Sequence, residues 1–294
     1  MKAISLGTAG KADPAHWQGM QNAGFGAHSK ALITDPRKAE QFLARVGIAL
    51  RYGATKGLPL ASLYRTFGGH LPDKAHLARA IMLTNKMLGE GAALEIHVIA
   101  SRVTLVHRSL VPSLYALVRR GRPTDDVSGL SVNAQTALSL LGTMKQVTAG
   151  QVRERIGVKK FDPKADPAYA ALGELTRTML VDRGPFVIPK AGIPYLSTEG
   201  YPYHLLHEAH PDLVASARGY SAEEAADEFL EAYLGGAAFG AVRKLASLFR
   251  LFLSPAEIDA SLKRLEARGR VRRVGAGPKA LAVLGDGSAT CSRL

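Results

Sequence analysis

Cysteine is nearly absent from this sequence, since its 294 residues contain only Cys291, in a Gly/Ser-rich tail. One cysteine excludes a disulfide framework and predicts a reducing compartment. No apolar run approaches the roughly 20 residues that a membrane-spanning helix needs. The N-terminus also lacks the basic-then-apolar pattern of a signal peptide. We therefore expect a cytoplasmic protein with no membrane partner.

Acidic residues are also in deficit, with 25 Asp and Glu against 38 Lys and Arg, a formal net charge of +13. Such an excess predicts a polyanionic partner. More than half of it lies in residues 243–279, which hold ten basic and three acidic side chains. The basic C-terminal part of the chain is therefore the first place to look for a binding surface.

The stretch "AEIDASLKRLEARGRVRRVG" (256–275) predicts a helix followed by a hairpin. Ser254 and Glu257 form a capping box around a proline at the first helical position. Gly269 suits the position just past a helix end, where the backbone often takes a left-handed conformation. Residues 270–274 and 280–284 then predict two short strands, joined by the turn residues 275–279.

The same order of elements recurs twice. A helix begins at Asp166 and Pro167 and precedes a predicted hairpin at 185–197, and a helix over 73–88 precedes strands within 95–108 joined by Ala-Ser. The preceding helices are predicted at 133–144, 148–157, 221–236 and 239–252, and those that begin at Thr148 and Ser221 open with Thr-x-x-Gln and Ser-x-x-Glu capping boxes. This predicts a mainly α fold with small β-hairpins, made of three tandem winged helix-turn-helix units. The predicted boundaries are an N-terminal extension (1–34), the three units (35–122, 123–200 and a strongly basic 201–285) and a flexible tail (286–294).

Winged-helix units place their third helix in a DNA groove and their hairpin along the phosphates, which predicts duplex DNA as the partner. Arginine suits phosphate oxygens because it offers a planar fork of donors. Protein docking is the alternative for this fold, and RNA has less support because no stacking aromatics are interleaved with the charges. The predicted DNA contacts are Arg153, Arg155, Lys159, Lys160, Arg177, Arg183, Lys263, Arg264, Arg268, Arg270, Arg272 and Arg273.

Motifs for cofactor, metal or nucleophile chemistry are weak. His204, His207 and His210 are three residues apart, whereas metal-binding pairs on a helix favour a spacing of four. "GTAGKA" (7–12) lacks the glycine spacing and the Lys-Ser/Thr ending of a phosphate loop. Asp125 and Asp126 fit a polar linker better than a catalytic pair. We therefore predict no metal and no small-molecule cofactor.

Three stretches carry a resemblance to a known family: "RVGIALRYGATKGLPLASLYRTFGG" (45–69), "QVTAGQVRERIGV" (146–158) and "DPAYAALGELTRTMLVDRGPF" (166–186). Together with the basic C-terminal unit, they resemble the winged-helix AlkZ-like (YcaQ-like) DNA glycosylases over residues 35–285. These enzymes excise alkylated or crosslinked bases. The resemblance implies a DNA-repair scaffold that binds duplex DNA.

This chain departs from that family at the catalytic motif. The family activates water with a Gln-x-Gln or Gln-x-Asp motif, whereas the corresponding residues here are Leu50, Arg51 and Tyr52. Leucine and tyrosine are poor groups for orienting water or stabilising positive charge on the sugar. Glu40 and Glu95 are the candidate replacement carboxylates, and ordinary surface or salt-bridge roles are the alternative for both.

The sequence thus predicts a monomeric, nucleoid-associated protein that holds duplex DNA on a basic concave surface through phosphate contacts. Whether it is also an enzyme stays open. One alternative is an active glycosylase with a nonstandard water-activating residue, which would flip the damaged base into a polar pocket. Another is a transcription regulator, which would need a dimer, although no extended heptad repeat is visible.

Overall fold

A computed structural model describes residues 14–25, 32–53, 59–69, 73–159, 162, 165–187, 200–275 and 280–285. Within these ranges the helices are α1 (Pro14–Gly24), α2 (Pro36–Val46), α3 (Leu63–Gly68), α4 (Lys74–Gly89), α5 (Val111–Arg119), α6 (Val132–Met144), α7 (Ala149–Arg155), α8 (Pro167–Arg177), α9 (Leu206–Ala209), α10 (Pro211–Ala217), α11 (Ala222–Ala237), α12 (Val242–Phe249) and α13 (Pro255–Ala267). The strands are β1 (Ile48–Leu50), β2 (Ala61–Ser62), β3 (Ala93–Ile96), β4 (Thr104–His107), β5 (Gln146–Val147), β6 (Val181–Arg183), β7 (Tyr203–Leu205), β8 (Phe239–Ala241), β9 (Val271–Val274) and β10 (Leu281–Leu284). The prediction of a mainly helical chain with small pairs of antiparallel strands is confirmed.

One order of elements occurs three times along the chain: helix, short strand, two helices and two antiparallel strands. We call α2 to β4 the first repeat, α6 to β7 the second and α11 to β10 the third. In each repeat the last strand lies between the other two, in the orders β1-β4-β3, β5-β7-β6 and β8-β10-β9. The first repeat adds β2, which pairs in parallel with β1 at the sheet edge.

Local capping explains where many of the helices begin. The predicted capping boxes are present, with Thr148 and Gln151 at α7, Ser221 and Glu224 at α11, and Ser254 and Glu257 at α13. Asp166 caps α8 ahead of Pro167, as predicted. Gly269 has a φ of 67°, the left-handed geometry expected just past the end of α13.

Two strands differ from the prediction. Residues 239–252 were expected to form one helix, but 239–241 form β8, which pairs with β10 before α12 begins. In the second repeat, β6 ends at residue 183 and pairs with β7 at 203–205, so the chain pairs across a longer separation than the predicted hairpin at 185–197. Residues 188–199 of that hairpin lie outside the described ranges. Both differences arise because these strands have three residues each and depend on distant partners.

The apolar residues of the first repeat divide between two cores: one, which includes Phe42, Leu63 and Leu83, lies within that repeat, and the other is shared with the third repeat. The shared core joins strand residues such as Ile96 and Val106 to α5, to α10, and to Phe229, Phe249 and Leu262 of the third repeat. The second repeat has its own core, built around residues such as Leu172 and Tyr203. None of the helices in the described residues is long and apolar enough to cross a membrane.

Glu257 connects α13 to the end of α5. Its carboxylate accepts hydrogen bonds from the Ser254 N–H and from Arg120 Nη1, both at 2.7 Å. Burial opposes the charged form, but the bonds from Arg120 and Ser254 outweigh it and lower the pKa of Glu257 from 4.5 to about 2. Because the folded-state pKa is depressed, this contribution to stability is present above pH 4.5 and is lost as the pH falls toward 2.

We expect Glu257→Gln to lower the free energy of unfolding by about 1 kcal/mol at pH 7, because it weakens the cap and removes the ion pair with Arg120. The matched control is Glu224→Gln, which alters the capping box of α11 at the same position, where the structure gives no arginine partner among the described residues. Urea unfolding at pH 7 and pH 3 measures both variants. If Glu257→Gln lowers the free energy of unfolding by the same amount at both pH values, the depressed pKa assigned to Glu257 is wrong.

Candidate functional site

Three buried charged side chains meet where the first and second repeats adjoin. Arg51 follows β1, Glu95 lies on β3 and Arg183 ends β6, and their side chains are 0, 0 and 2% exposed. Arg51 Nη1 donates to one carboxylate oxygen of Glu95, and Arg183 Nε donates to the other. We call these residues the buried triad. The single carboxylate thereby joins the two repeats.

Tyrosines surround the buried triad. The ring of Tyr201 lies below both guanidiniums, with its centroid 4.0 Å from Arg183 Cζ and 4.9 Å from Arg51 Cζ. Tyr52 Oη lies 3.4 Å from Tyr201 Oη and accepts a long hydrogen bond of 3.4 Å from Arg183 Nη2. Burial raises the pKa of Tyr201 and Tyr203, so both hydroxyls stay protonated. These contacts give each guanidinium an aromatic neighbour in addition to the carboxylate.

The electrostatics keep Glu95 ionised. Burial opposes its charge, but Arg183 and Arg51 outweigh burial, so the pKa of Glu95 lies below its usual value. The same attraction raises the pKa of Arg183 against the effect of burial. A general base must reach the water from which it takes a proton. A carboxylate with no exposed surface, whose oxygens are both bound to guanidinium groups, is suited to holding two arginines in place.

Glu40, the other candidate carboxylate, is exposed on α2, whereas Glu95 lies on a fully buried strand. The residues aligned with the family's motif also have separate environments. Leu50 is buried in β1, Arg51 belongs to the triad, and Tyr52 is 37% exposed and packs edge-on against Tyr64. The exposed group at this position is therefore a phenol ring.

Five of the six predicted DNA contacts of the third repeat have carboxylate partners. Arg264 binds Asp227 of α11 through two bonds, with Nε–Oδ2 at 3.0 Å and Nη2–Oδ1 at 2.8 Å, and Arg268 binds the same carboxylate. The other pairs of this repeat are Arg270 with Glu231, Arg273 with Asp259 and Glu266, and Lys263 with Asp259. Much of the charge concentrated in the sequence is thus offset within the protein.

Arg272 differs from its neighbours. It is half-buried on β9 and has no carboxylate partner within the described part of the chain. Strand residues alternate between two faces. Since Arg273 bonds to α13, Arg272 points to the opposite face of the strand.

The predicted contacts of the second repeat have several different environments. Arg153 donates to Asp166 at 2.9 Å, Arg177 is half-buried near the end of α8, and Arg183 belongs to the buried triad. Arg155 and Lys159 are exposed. Lys160 lies outside the described residues. Arg183 therefore does not face solvent in this arrangement, because Glu95 and the tyrosines enclose it.

Several exposed cations have no carboxylate partner within the described residues. We call them the unpaired cations: Lys145, Arg155, Lys159, Arg243, Lys244 and Arg250. The first three lie at or near the ends of α6 and α7. The last three lie on or just after α12, whose opposite face buries Leu245, Leu248 and Phe249. These six lie in the second and third repeats; Arg37, Lys38, Arg65, Lys74, Arg102 and Arg218 are also exposed without a described carboxylate partner but lie outside those repeats.

Two of the three histidines singled out in the sequence, His204 and His210, lie near the same carboxylate, that of Asp182, with His204 Nδ1 3.8 Å from Oδ1. His210 Nε2 lies 3.1 Å from Asp182 Oδ2, and His204 Nε2 lies 3.4 Å from Gln146 Oε1. Among the described residues, no group of three or more His, Cys, Asp or Glu side chains is arranged to hold a metal ion.

Sequence reasoning missed Arg51, Tyr52 and Tyr201 as members of one cluster. A charged residue directly after the apolar strand 48–50 was the available signal. Glu95, which binds Arg51, lies 44 residues further along the chain, and Arg183, which binds the same carboxylate, lies 132 residues further along. Only the folded chain brings them together.

No protein-family model and no curated protein sequence matches this chain. A solved structure, the DNA glycosylase AlkZ of Streptomyces sahachiroi, matches 94% of this chain over 70% of its own length, with a TM-score of 0.57 and 13% identity. At this identity the likeness concerns the fold. This chain therefore has the fold of the DNA glycosylase AlkZ, as the resemblance read from its sequence predicted.

Proposed function

We propose that this protein binds duplex DNA through phosphate contacts, on a DNA-repair glycosylase scaffold that lacks the family's water-activating motif. The unpaired cations carry the proposal. Cations without an internal carboxylate can neutralise phosphates and release counterions, which is the main source of sequence-independent affinity for DNA. The name of the structural neighbour, a DNA glycosylase, supports the same partner.

Each repeat would act as a winged-helix unit, with α4, α8 and α13 as the third helices. The strand orders β1-β4-β3, β5-β7-β6 and β8-β10-β9 support this proposal, because a winged-helix sheet has its last strand in the middle. In the third repeat, β9 and β10 would form the wing, and Arg272 would be its best phosphate ligand because no described carboxylate holds it.

The paired arginines would contribute less to DNA binding than their number suggests. An exposed ion pair is worth about 0–1 kcal/mol, so a phosphate would replace the carboxylate at low cost only where the pair is exposed. Arg264 binds Asp227 through two hydrogen bonds, and that carboxylate is largely buried. Arg270 and Lys263, which are more exposed, would exchange partners more easily.

We expect the double variant Arg155→Gln, Lys159→Gln to reduce the steepness with which the DNA association constant falls with salt. The slope of log association constant against log salt concentration should be shallower by about 2, because each lost phosphate contact removes about one unit of slope. The control double variant is Lys86→Gln, Arg108→Gln, which removes the same charge from two exposed cations already paired with Glu90 and Asp212. Fluorescence anisotropy with a labelled duplex at several salt concentrations measures both variants. Equal slopes in the two variants would mean that net charge alone drives binding.

The catalytic alternative is a glycosylase with a nonstandard water-activating group, which the neighbour's name favours. It is tested by incubating the protein with a duplex that carries an N7-alkylated guanine, followed by alkali and a denaturing gel. We expect no cleavage above the no-protein control, because the exposed group at the motif position is Tyr52 and the nearby carboxylate of Glu95 is sequestered. Cleavage that survives Glu40→Gln but is lost in a folded Glu95→Gln variant would overturn that expectation.

A further inference from the structure

A pocket of about 670 Å³ lies away from the buried triad, between the end of α5, the segment 120–124, α10 and the start of α11. The sequence suggested only a polar linker in this region. The pocket volume is within the range of about 300–1,000 Å³ typical of small-molecule sites. Four of its lining side chains are arginines, namely Arg119, Arg120, Arg122 and Arg218, and none of the lining residues is Asp or Glu.

Arg119 forms the deep part of the pocket wall. Its side chain is almost fully buried, Nη1 and Nη2 donate to the main-chain oxygens of Thr178 (3.5 Å) and Pro123, and the Tyr115 hydroxyl also lies within reach of the guanidinium. The buried Nε has no hydrogen-bond partner. Buried donors are rarely left unpaired in folded proteins. Burial lowers the pKa of Arg119, but a guanidinium stays charged at neutral pH.

The neighbouring groups leave the pocket positively charged. Arg120 is paired with Glu257 at 2.7 Å, and Arg122, which donates to the main-chain oxygens of Arg119 and Val118, has a long contact of 3.9 Å to Asp126. The Tyr220 hydroxyl donates to Glu228 at 2.5 Å. Arg218 is exposed and has no carboxylate partner in the described part of the chain. Two of the four guanidiniums that line the pocket, those of Arg119 and Arg218, therefore form no ion pair among the described residues, although the carboxylate of Asp126 acts on Arg119 from outside the lining.

We propose that this pocket binds the phosphate group of a ligand, with Arg119 and Arg218 as its charged donors and Tyr115 as a hydroxyl donor beside them. Arginine matches a phosphate because its planar fork can form two parallel hydrogen bonds. Two sources present this group: a free phosphorylated small molecule of nucleotide size, and the backbone of a nucleic acid. The proposal does not depend on the unpaired cations, none of which lines the pocket.

The experiment titrates the full chain with inorganic phosphate, with adenosine 5′-monophosphate and with a short DNA duplex, by calorimetry and by thermal unfolding at constant ionic strength in sodium chloride. The test variant is Arg218→Gln, which alters an exposed side chain and is expected to fold. The control is Arg102→Gln, an exposed cation outside the pocket. Circular dichroism checks that both variants are folded.

We expect phosphate to raise the thermal midpoint more than chloride does, and Arg218→Gln to weaken phosphate binding about tenfold, as the loss of a charge-assisted hydrogen bond does. Arg102→Gln should bind phosphate like the unmodified protein. If adenosine monophosphate binds and the duplex does not compete with it, the ligand of the pocket is a small phosphorylated molecule. If the duplex competes with adenosine monophosphate, the pocket binds a phosphate of the nucleic-acid backbone. Equal phosphate affinity in both variants, or no binding beyond the chloride effect, overturns the proposal.

Discussion

Replacing Glu95 with glutamine is expected to lower the free energy of unfolding by about 3–5 kcal/mol, because it leaves the guanidiniums of Arg51 and Arg183 buried without a counter-charge. Urea unfolding at neutral pH measures this change. The pKa of Glu95 lies below its usual value in the folded protein. Its contribution is therefore present above the ordinary pKa of a glutamate, and the difference between the two proteins should narrow as the pH falls below that value.

Two controls separate the buried triad from a general sensitivity to lost carboxylates. Glu40→Gln changes an exposed helix residue and is expected to cost less than about 0.5 kcal/mol. The triple variant Glu95→Leu, Arg51→Met, Arg183→Met removes all three charges and should be more stable than Glu95→Gln, since apolar replacement of a whole buried ion group is often tolerated. If Glu95→Gln unfolds at the same denaturant concentration as the unmodified protein, the carboxylate does not hold the two arginines as described.

Gly236→Ala is expected to destabilise the protein by about 1–3 kcal/mol, because the added methyl group has no space. An ideal Cβ at Gly236 of α11 would lie 2.3 Å from the carbonyl oxygen of Val46 and 2.6 Å from its Cα. These are backbone atoms at the end of α2, so relief requires the two helices to separate. The clash outweighs the gain of about 1 kcal/mol that alanine offers over glycine in a helix. Thermal unfolding measures the loss.

The neighbouring glycine supplies the control. A Cβ at Gly235 would meet only Leu284 Cδ1 at 3.7 Å, an ordinary contact distance. Gly235→Ala is therefore expected to be neutral or to stabilise the protein by up to about 1 kcal/mol through helix propensity. Destabilisation of equal size in both variants would show that α11 needs glycine for a reason other than its close approach to α2.

Local sequence was sufficient to predict elements whose signals lie within a few residues of one another. The capping boxes at Thr148, Ser221 and Ser254 could be predicted from the sequence because a cap and its partner are three residues apart. The strands β9 and β10 could be predicted because a short turn sequence separates two β-prone segments. By contrast, β8 pairs with a strand that begins 40 residues after its end, so the sequence predicts that its three residues continue a helix.

The candidate sites depended far more on tertiary structure. The sequence predicts a free basic surface at 264–273, because Asp227 and Glu231, which bind Arg264, Arg268 and Arg270, lie more than 30 residues earlier on α11. The sequence also makes Glu95 a candidate base, because its sequence neighbours do not indicate that two distant arginines bind it. An ion pair between residues this far apart in sequence leaves no local periodicity, so no sequence pattern predicts it.

The sequence by itself determined the mainly helical character of the chain, its helix-to-hairpin order and its strong positive charge, because these follow from composition, periodicity and caps. It was also sufficient to suggest the fold of the DNA glycosylase AlkZ. Only the tertiary structure decided which charges face solvent, which are offset by carboxylates, and which enclose a pocket. The physical reason is that the environment of a charge depends on side chains distant in sequence, which only folding brings within hydrogen-bonding distance.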